Sequence, residues 1–369
     1  MRRCLELARL ATGHVAPNPM VGAVLVHDDR IIGEGYHQLY GKAHAEVNCI
    51  ASVKPEDTHL IPLSTIYVSL EPCAHHGKTP PCADLIIEKG IPQVVVGCRD
   101  PFPQVNGKGI EKLKAAGIEV TVGVLEKECI DLNRRFFLFH TRHRPYIILK
   151  WAQTANGRIA GSPATFTQSA WIAGSTIHAT PITSHDTPPD NNRLLISNEL
   201  TNRLVHKWRS EEAAILVGPR TALLDDPALT ARFWTGPDPI RLVIDKDLQL
   251  PPTLQLFNGK VHTIVFNNHK HEEQGPIQYY QLSGDSSLTH QIVVALHQLK
   301  IQSVLVEGGA RLLQSFIDED YWDETRVITN DELEIPAGLP APQLRQSRII
   351  SRESLLSDTI RYYAPTTHD

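Results

Sequence analysis

A chain of 369 residues is long enough for two domains, each with its own core. Its net charge of −5 argues against nucleic acid as a main partner, because phosphate backbones select basic surfaces. Six widely spaced cysteines exclude a dense disulfide scaffold and fit a reducing cytoplasm, and no signal peptide or membrane-spanning apolar run is read in the chain.

The chain opens inside a helix. Cys4, Leu5, Ala8, Leu10 and Ala11 recur at helical spacing from the second residue on. No N-cap precedes them, so the true helix start is expected a few residues upstream. Pro17-Asn18-Pro19 forms a rigid turn. Residues 21–26 and 30–35 read as a hairpin around His27-Asp28-Asp29. Residues 44–53 read as a helix with Val47, Ile50 and Ala51 on one face, which puts His44 and Glu46 at its N-terminal end. Residues 65–70 form a strand that runs into Glu71-Pro72-Cys73. Residues 83–89 form a short helix ended by Gly90, and Cys82 lies at its start, where the helix dipole favours a thiolate. Residues 93–97 and 118–124 are further strands. This alternation indicates an α/β layered sheet with both cysteine and histidine stretches at helix starts along one edge. Cys4, Cys49, Cys98 and Cys129 sit in apolar surroundings and are expected to be buried free thiols.

Two of these stretches carry chemistry together. His44-Ala45-Glu46 and Glu71-Pro72-Cys73 through Pro80-Pro81-Cys82 supply one imidazole, two thiols and one nearby carboxylate. Zn²⁺ accepts such N/S ligands, and three protein ligands leave a fourth position for water. Water on such a metal becomes a nucleophile near neutral pH. Glu46 is then placed to carry protons rather than to bind metal. An H-x-E followed by P-C…C is the signature of zinc nucleobase deaminases, although eight residues rather than two separate these cysteines. A lone His or Cys is more often a packed core residue, and a structural zinc site would need a fourth protein ligand, which His75 or His76 could supply. Gly77-Lys78-Thr79 looks like the end of a phosphate-binding loop, but Pro72 stands where that motif requires Gly.

Pro17-Asn18-Pro19-Met20-Val21-Gly22-Ala23-Val24, His44-Ala45-Glu46 and the long Cys73-to-Cys82 loop resemble the deaminase half of the bifunctional riboflavin-biosynthesis deaminase/reductase family. Gly107-Lys108-Gly109-Ile110 and Ala116-Gly117-Ile118-Glu119-Val120 match as well. The long loop separates that family from cytidine and tRNA-adenosine deaminases. The resemblance implies a cytidine-deaminase-like three-layer domain in which His44, Cys73 and Cys82 hold zinc and Glu46 shuttles protons. It implies a diaminopyrimidinone substrate carrying a ribosylamino 5′-phosphate, with Asn18 at the pyrimidine and His75 and Lys78 at the ribose phosphate. Phe102 departs from the family, which commonly has Asn there, and a phenylalanine cannot donate that hydrogen bond.

Residues 130–139 read as a helix and 140–144 as a short basic joint. Pro145 opens a strand over 146–152. Further strands are expected at 213–218, 240–245, 261–266 and 303–307, with a helix over 287–300. Gly308-Gly309 leads into a helix over 310–316, and such a strand–glycine–helix joint can hold a pyrophosphate, though many are plain turns. The tail from Glu332 reads as loop.

Arg144-Pro145-Tyr146, Leu149-Lys150-Trp151-Ala152, Gly157-Arg158-Ile159-Ala160, residues 225–232 and Val306-Glu307-Gly308-Gly309 are similar to the reductase half of the same family. The resemblance implies a dihydrofolate-reductase-like α/β domain that uses NADPH to turn a ribosyl group into a ribityl group. Ala152, Thr221, Asp225, Lys246, Gly309, Ala310, Arg311 and Leu312 would touch NADPH. Arg209, Leu229, Arg232 and Glu307 would touch the substrate. Asn156 stands where the family usually has Asp. Residues 161–192 read as an insertion, and the family's Ser-x-Trp-Ile segment aligns either with Ser169-Ala170-Trp171-Ile172 or with the stretch ending Ile196-Ser197. The run into Asn198-Glu199-Leu200 and His206-Lys207-Trp208-Arg209 favours the second, which argues against Ser169 and Trp171 as ligands.

The expectation is therefore an α/β enzyme with a zinc deaminase domain over 1–140 and an NADPH reductase domain over 145–369. It would act on a small phosphorylated pyrimidine riboside in the cytoplasm, with no nucleic acid or membrane partner, and family resemblance suggests a homo-oligomer. The rival readings are a deaminase whose reductase half is weakened by the insertion, a non-catalytic zinc protein, and a polynucleotide deaminase.

Overall fold

The structure, a computed structural model, describes residues 1–75, 80–161 and 195–366. Contacts divide the chain into two compact units, Met1–Tyr146 with Val293–Ser303 and Ile147–Ile292 with Val304–Asp369. The stretch Val293–Ser303 thus clusters with the first unit, although its sequence position is beyond residue 145.

In the first unit, helix α1 (Arg2–Arg9) precedes the hairpin of β1 (Gly22–His27) and β2 (Arg30–Tyr36). Asp28 and Asp29 both have positive φ, 45° and 61°, the pair of left-handed residues that lets a two-residue turn follow the strand twist. Then come α2 (Ala45–Ala51), a 3₁₀ stretch (Pro55–Leu63), β3 (Thr65–Leu70), α3 (Cys82–Glu88), β4 (Gln93–Cys98), α4 (Lys108–Ala115) and β5 (Glu119–Val122). The sheet order is β2-β1-β3-β4-β5. β1 is antiparallel to β2 and β3, while β3, β4 and β5 run parallel.

Successive strand residues point to opposite faces, and both faces are covered. Ala23, Leu25, Ile66, Val68, Val94 and Val96 pack with Ala45, Cys49, Ala83, Ile86 and Leu113 from α2, α3 and α4. Val24 meets Cys4 and Leu7 of α1 on the other side. The result is the expected three-layer α/β arrangement, and Cys4, Cys49, Cys98 and Cys129 are all buried free thiols.

The helix expected over 130–139 is instead two helices, α5 (Glu126–Leu132) and α6 (Arg134–Arg142). α6 also takes in the first residues of the expected joint. The break is at Asn133, which is buried. Its Oδ1 accepts from Met20 N at 2.8 Å and its Nδ2 donates to Met20 O at 2.9 Å. A side chain that pairs both ways with distant backbone offers an alternative to helix continuation.

The second unit contains β6 (Tyr146–Thr154), β7 (Arg158–Gly161), α7 (Glu199–Glu211), β8 (Ala214–Val217), α8 (Pro219–Asp225) and β9 (Ile240–Ile244). These are followed by β10 (Thr263–Asn267), β11 (Glu272–Gln274), β12 (Ile277–Gln281), α9 (Leu288–Gln298), whose residues from Val293 on cluster with the first unit, β13 (Ser303–Val306), α10 (Ala310–Asp318) and β14 (Glu324–Asn330). The last elements are β15 (Gly338–Pro340), β16 (Ser347–Leu355) and β17 (Asp358–Pro365). Ten strands form one sheet in the order β11-β12-β10-β9-β8-β13-β6-β14-β17-β16. β12, β10, β9, β8 and β13 are successively parallel. Ile215, Val217, Val243 and Val265 from its central strands pack with Ala222, Leu229 and Leu256.

The tail from Glu332 is not loop. β17 pairs antiparallel with β14, and β16 pairs with β17. β16 is exposed along nearly its whole length, so no burial-driven alternation marks it in the sequence. Its hairpin is fixed instead by Asp358, which accepts from Asn198 N at 2.9 Å, and by Asn198 Nδ2 donating to Leu355 O at 2.7 Å. Among the described residues no helix is long and apolar enough to cross a membrane.

Asn133→Ala leaves the N–H and C=O of Met20 without their side-chain partner in a partly buried place. It should lower the stability of the first unit by about 2–4 kcal/mol. Denaturant midpoints compared with wild type check this, and an unchanged midpoint would remove Asn133 as the clamp between the α5–α6 junction and Met20.

Candidate active sites

His44 is the N-cap position of α2, with extended backbone, and Cys82 is the first residue of α3. Cys73 follows the end of β3 by three residues. The fold brings these three together. His44 Nδ1 lies 3.3 Å from Cys82 Sγ and 3.6 Å from Cys73 Sγ. Cys82 N donates to Cys73 Sγ at 3.3 Å, and Ala83 N donates to Cys73 O at 3.1 Å. All three ligand atoms fall within 4.8 Å of one another, and they form the one such metal-competent group among the described residues. One nitrogen and two sulfurs in tetrahedral reach suit zinc. His75 is not drawn into this group, and His76 lies outside the described residues.

Glu46 is buried beside them, 3 % exposed. Burial, and then the negative charge on Cys73, push its carboxyl up to about 7. Hydrogen bonds from Cys82 and His44 favour the Cys73 thiolate and hold its pKa well below the ordinary thiol range, against the cost of burial. A cavity of about 420 Å³ opens beside this group, and Asn18, His75, Asp100 and Phe102 line it. Lys78 lies outside the described residues.

The cavity also contains His37, which has no motif to mark it. Its Nδ1 lies 3.0 Å from Ala43 O, and since a carbonyl can only accept, Nδ1 carries the proton. Its Nε2 then accepts from Asn18 Nδ2 at 3.1 Å, so the Asn18 carboxamide is held with its oxygen unambiguously assigned. Phe102 packs against His140, ring centroids 5.0 Å apart, and His75, at 6.3 Å. The departure from Asn to Phe thus gives this wall an aromatic surface.

The second unit gathers its own cluster at the ends of parallel strands. Glu307 follows β13 directly, and Arg209 grips it with a fork, Nε to Oε1 at 2.8 Å and Nη2 to Oε2 at 2.7 Å. Arg209 Nη1 donates to Thr230 O at 3.2 Å. Lys150 Nζ lies 3.8 Å from Glu307 Oε2. Burial alone would raise the Glu307 carboxyl, but the charges of Arg209 and then Lys150 outweigh it and hold it at about 2. Burial and the cations Arg209 and Arg232 lower His206 to about 4, so it stays neutral at pH 7. Arg232 is exposed, with its guanidinium 4.8 Å from the centre of the Phe233 ring.

Next to this cluster, Gly218 N donates to Gly308 O at 2.8 Å, tying the turn after β8 to the turn after β13. A Cβ placed on Gly309 would sit 3.4 Å from Thr221 Oγ1. Gly309 is the N-cap of α10, and the first bond within that helix runs from Leu313 N to Gly309 O. The N–H groups of Ala310, Arg311 and Leu312 therefore have no partner within the helix. Asp225 ends α8 and Ala152 lies on β6. Leu229 is a core residue, 2 % exposed, with positive φ of 50°. Lys246 lies beyond the end of β9 and is exposed. Asn156 keeps its turn by accepting from Thr154 Oγ1 at 2.6 Å and donating to Ile335 O at 2.8 Å. Ser169 and Trp171 lie outside the described residues, as does the expected insertion from residue 162 on.

Residues 1–98 match the cytidine and deoxycytidylate deaminase zinc-binding region, and residues 145–330 match the RibD C-terminal domain. The riboflavin biosynthesis protein RibD of Aquifex aeolicus is 40 % identical over 337 residues, covering 89 % of this chain and 85 % of that protein. The chain belongs to the RibD family of riboflavin biosynthesis proteins. The Escherichia coli RibD protein is 33 % identical over 351 residues, covering 90 % of this chain and 87 % of its own length. A crystal structure from Thermotoga maritima, a diaminohydroxyphosphoribosylaminopyrimidine deaminase/5-amino-6-(5-phosphoribosylamino)uracil reductase, superposes with a TM-score of 0.82 at 35 % identity and covers 99 % of this chain and 97 % of that one. Like its RibD relatives, this chain is a bifunctional enzyme of riboflavin biosynthesis that carries a deaminase, a hydrolase, and a reductase, an oxidoreductase. The matched deaminase region is a zinc-binding one, and the reductase domain implies a nicotinamide cofactor.

Because Glu307 ionises below its ordinary value of 4.5, its pairing stabilises fully above that pH, and the contribution is lost as pH falls through about 2. Glu307→Gln should therefore show a stability deficit that is constant above about pH 5 and shrinks steadily toward pH 2. Denaturant midpoints across that range check it. A deficit that does not change with pH would contradict an ionised, paired Glu307.

Proposed function

We propose that the first unit deaminates 2,5-diamino-6-(5-phosphoribosylamino)pyrimidin-4-one to 5-amino-6-(5-phosphoribosylamino)uracil. We further propose that the second unit reduces the ribosyl side chain of that product to a ribityl chain with NADPH. The first activity is assigned to residues 1–140 and the second to residues 145–369. The observation that carries the reading is the convergence of His44, Cys73 and Cys82 next to the buried carboxyl of Glu46.

His44, Cys73 and Cys82 are the zinc ligands in this reading. Zinc held there would lower the pKa of bound water to about 7 and so supply a nucleophile at neutral pH. Glu46 accepts the proton released at the nucleophile. It returns protons to the ring nitrogen and to the 2-amino group, which departs as ammonia. Burial next to Cys73 raises the proton affinity of Glu46, and a divalent cation beside it acts the other way. Asn18, fixed by His37, orients the pyrimidine. His75 and Lys78 face the ribose phosphate.

In the second unit NADPH supplies the hydride. The first-turn N–H groups at Gly309, Ala310, Arg311 and Leu312 receive its pyrophosphate, and Ala152, Thr221, Asp225 and Lys246 hold the rest. Glu307 and Leu229 face the opened sugar. Arg209 acts chiefly by locking the Glu307 carboxylate in place, since three of its donors are already committed. Arg232, which is exposed, meets the phosphate. Six free cysteines fit a cytoplasmic setting.

The test follows ammonia and NADPH in parallel on the purified zinc-loaded chain supplied with the deaminase substrate. Ammonia release followed by NADPH consumption is the expected result. Ammonia with NADPH untouched would confine the reading to the first unit, and neither would overturn it. Glu46→Gln should keep stoichiometric zinc while ammonia release falls by about 10²–10⁴-fold. His44→Ala should lose the zinc as well, as measured by metal analysis. Normal deamination by Glu46→Gln would show that the proton route is wrong.

A further inference from the structure

Glu71 is a buried carboxylate, 4 % exposed, that no role above uses. No cation pairs with it among the described residues. Its partners are four backbone N–H groups of a separate segment. Oε2 accepts from Gly107 N at 2.9 Å and Asp100 N at 3.3 Å. Oε1 accepts from Gly109 N at 3.0 Å and Ile110 N at 3.3 Å. Gly107 is the N-cap of α4, so two of these donors are first-turn amides of that helix. A carboxylate there also gains from the positive end of the helix.

These bonds join two parts of one pocket. Glu71 is two residues before Cys73. The segment it grips starts at Asp100 and contains Phe102 and Val105, and all three line the cavity beside Cys73 and Glu46. The approach is as close as backbone allows. A Cβ on Gly109 would lie 1.9 Å from Pro72 O, so no side chain fits between α4 and the Glu71-Pro72 backbone. Cys73, by contrast, has anchors of its own in Ala83 N and Cys82 N.

We propose that Glu71 is a positioning residue for deamination: it sets the distance between the metal-ligand loop and the substrate-facing wall at Asp100, Phe102 and Val105. Removing its charge frees the wall and leaves the ligands in place. The proposal rests on the cavity being the deaminase site.

Gln in place of Glu71 keeps one acceptor oxygen and turns an NH₂ group toward the other two N–H donors. In zinc-loaded, full-length Glu71→Gln, the KM for the deaminase substrate should rise about 10- to 100-fold, as expected for a wall displaced by about 1 Å. The kcat should stay within about threefold, and zinc content and NADPH turnover of separately supplied reductase substrate should match wild type. Amide hydrogen exchange gives a readout without turnover. In wild type, Gly107, Gly109 and Ile110 should be protected. In the variant they should exchange faster, while the amides of α3 keep their protection. An unchanged KM overturns the proposal, and so does loss of zinc together with kcat, which would make Glu71 a support for the ligands instead. If the variant does not fold, the wild-type exchange still decides: loop-like exchange at those three amides overturns the proposal and protection supports it. Failure of wild type to release ammonia would sink the deaminase reading itself, and that outcome is seen separately from the exchange pattern.

Discussion

Parallel strands cannot be joined by a hairpin, and the crossover that joins them usually contains a helix that begins where a strand has just ended. Both sites depend on this constraint. In the first unit, β3 ends, Cys73 follows, and α3 begins at Cys82 before the chain returns to β4. In the second, β13 ends at Val306, Glu307 and the Gly308-Gly309 pair follow, and α10 begins. Each crossover thus delivers side chains and helix N-termini to the same end of its sheet, where a ligand can reach both.

The two sites then diverge in how they manage buried charge. The first collects groups whose charges are costly without a metal: two thiols, an imidazole and a carboxyl raised by burial. A divalent cation resolves that conflict, which is why this donor set reads as a metal centre. The second is self-neutralising. Arg209 and Lys150 compensate Glu307 within the protein, so its carboxylate stays ionised without a ligand. Such a pre-paired carboxylate is oriented before substrate arrives, which is the property a positioning group needs.

Backbone groups do comparable work around the cavity beside His44, Cys73 and Cys82. Glu71 is satisfied by four N–H groups rather than by a cation, and His37 is held in one tautomer by Ala43 O. Both fix neighbours, the pocket wall in one case and the Asn18 carboxamide in the other. The Glu71 charge is solvated by peptide dipoles, and burial keeps His37 neutral.

The sequence by itself determined the local chemistry. His-x-Glu and the two Pro-Cys pairs point to the group of His44, Cys73 and Cys82 that the fold brings together, because few residue types bind zinc, and the period-two and helical patterns locate the strands and helices on which they sit. Family resemblance extended this to the reductase half. Tertiary structure alone decided the pairings between distant residues. That Arg209 would spend its fork on Glu307, 98 residues away, could not be read from either residue, since both are polar in any context. Asn133 split a helix because Met20 was there to receive it, and the exposed strand β16 exists because β17 offers it backbone partners. Periodicity reports burial, and neither backbone pairing nor long-range hydrogen bonding leaves a periodic trace.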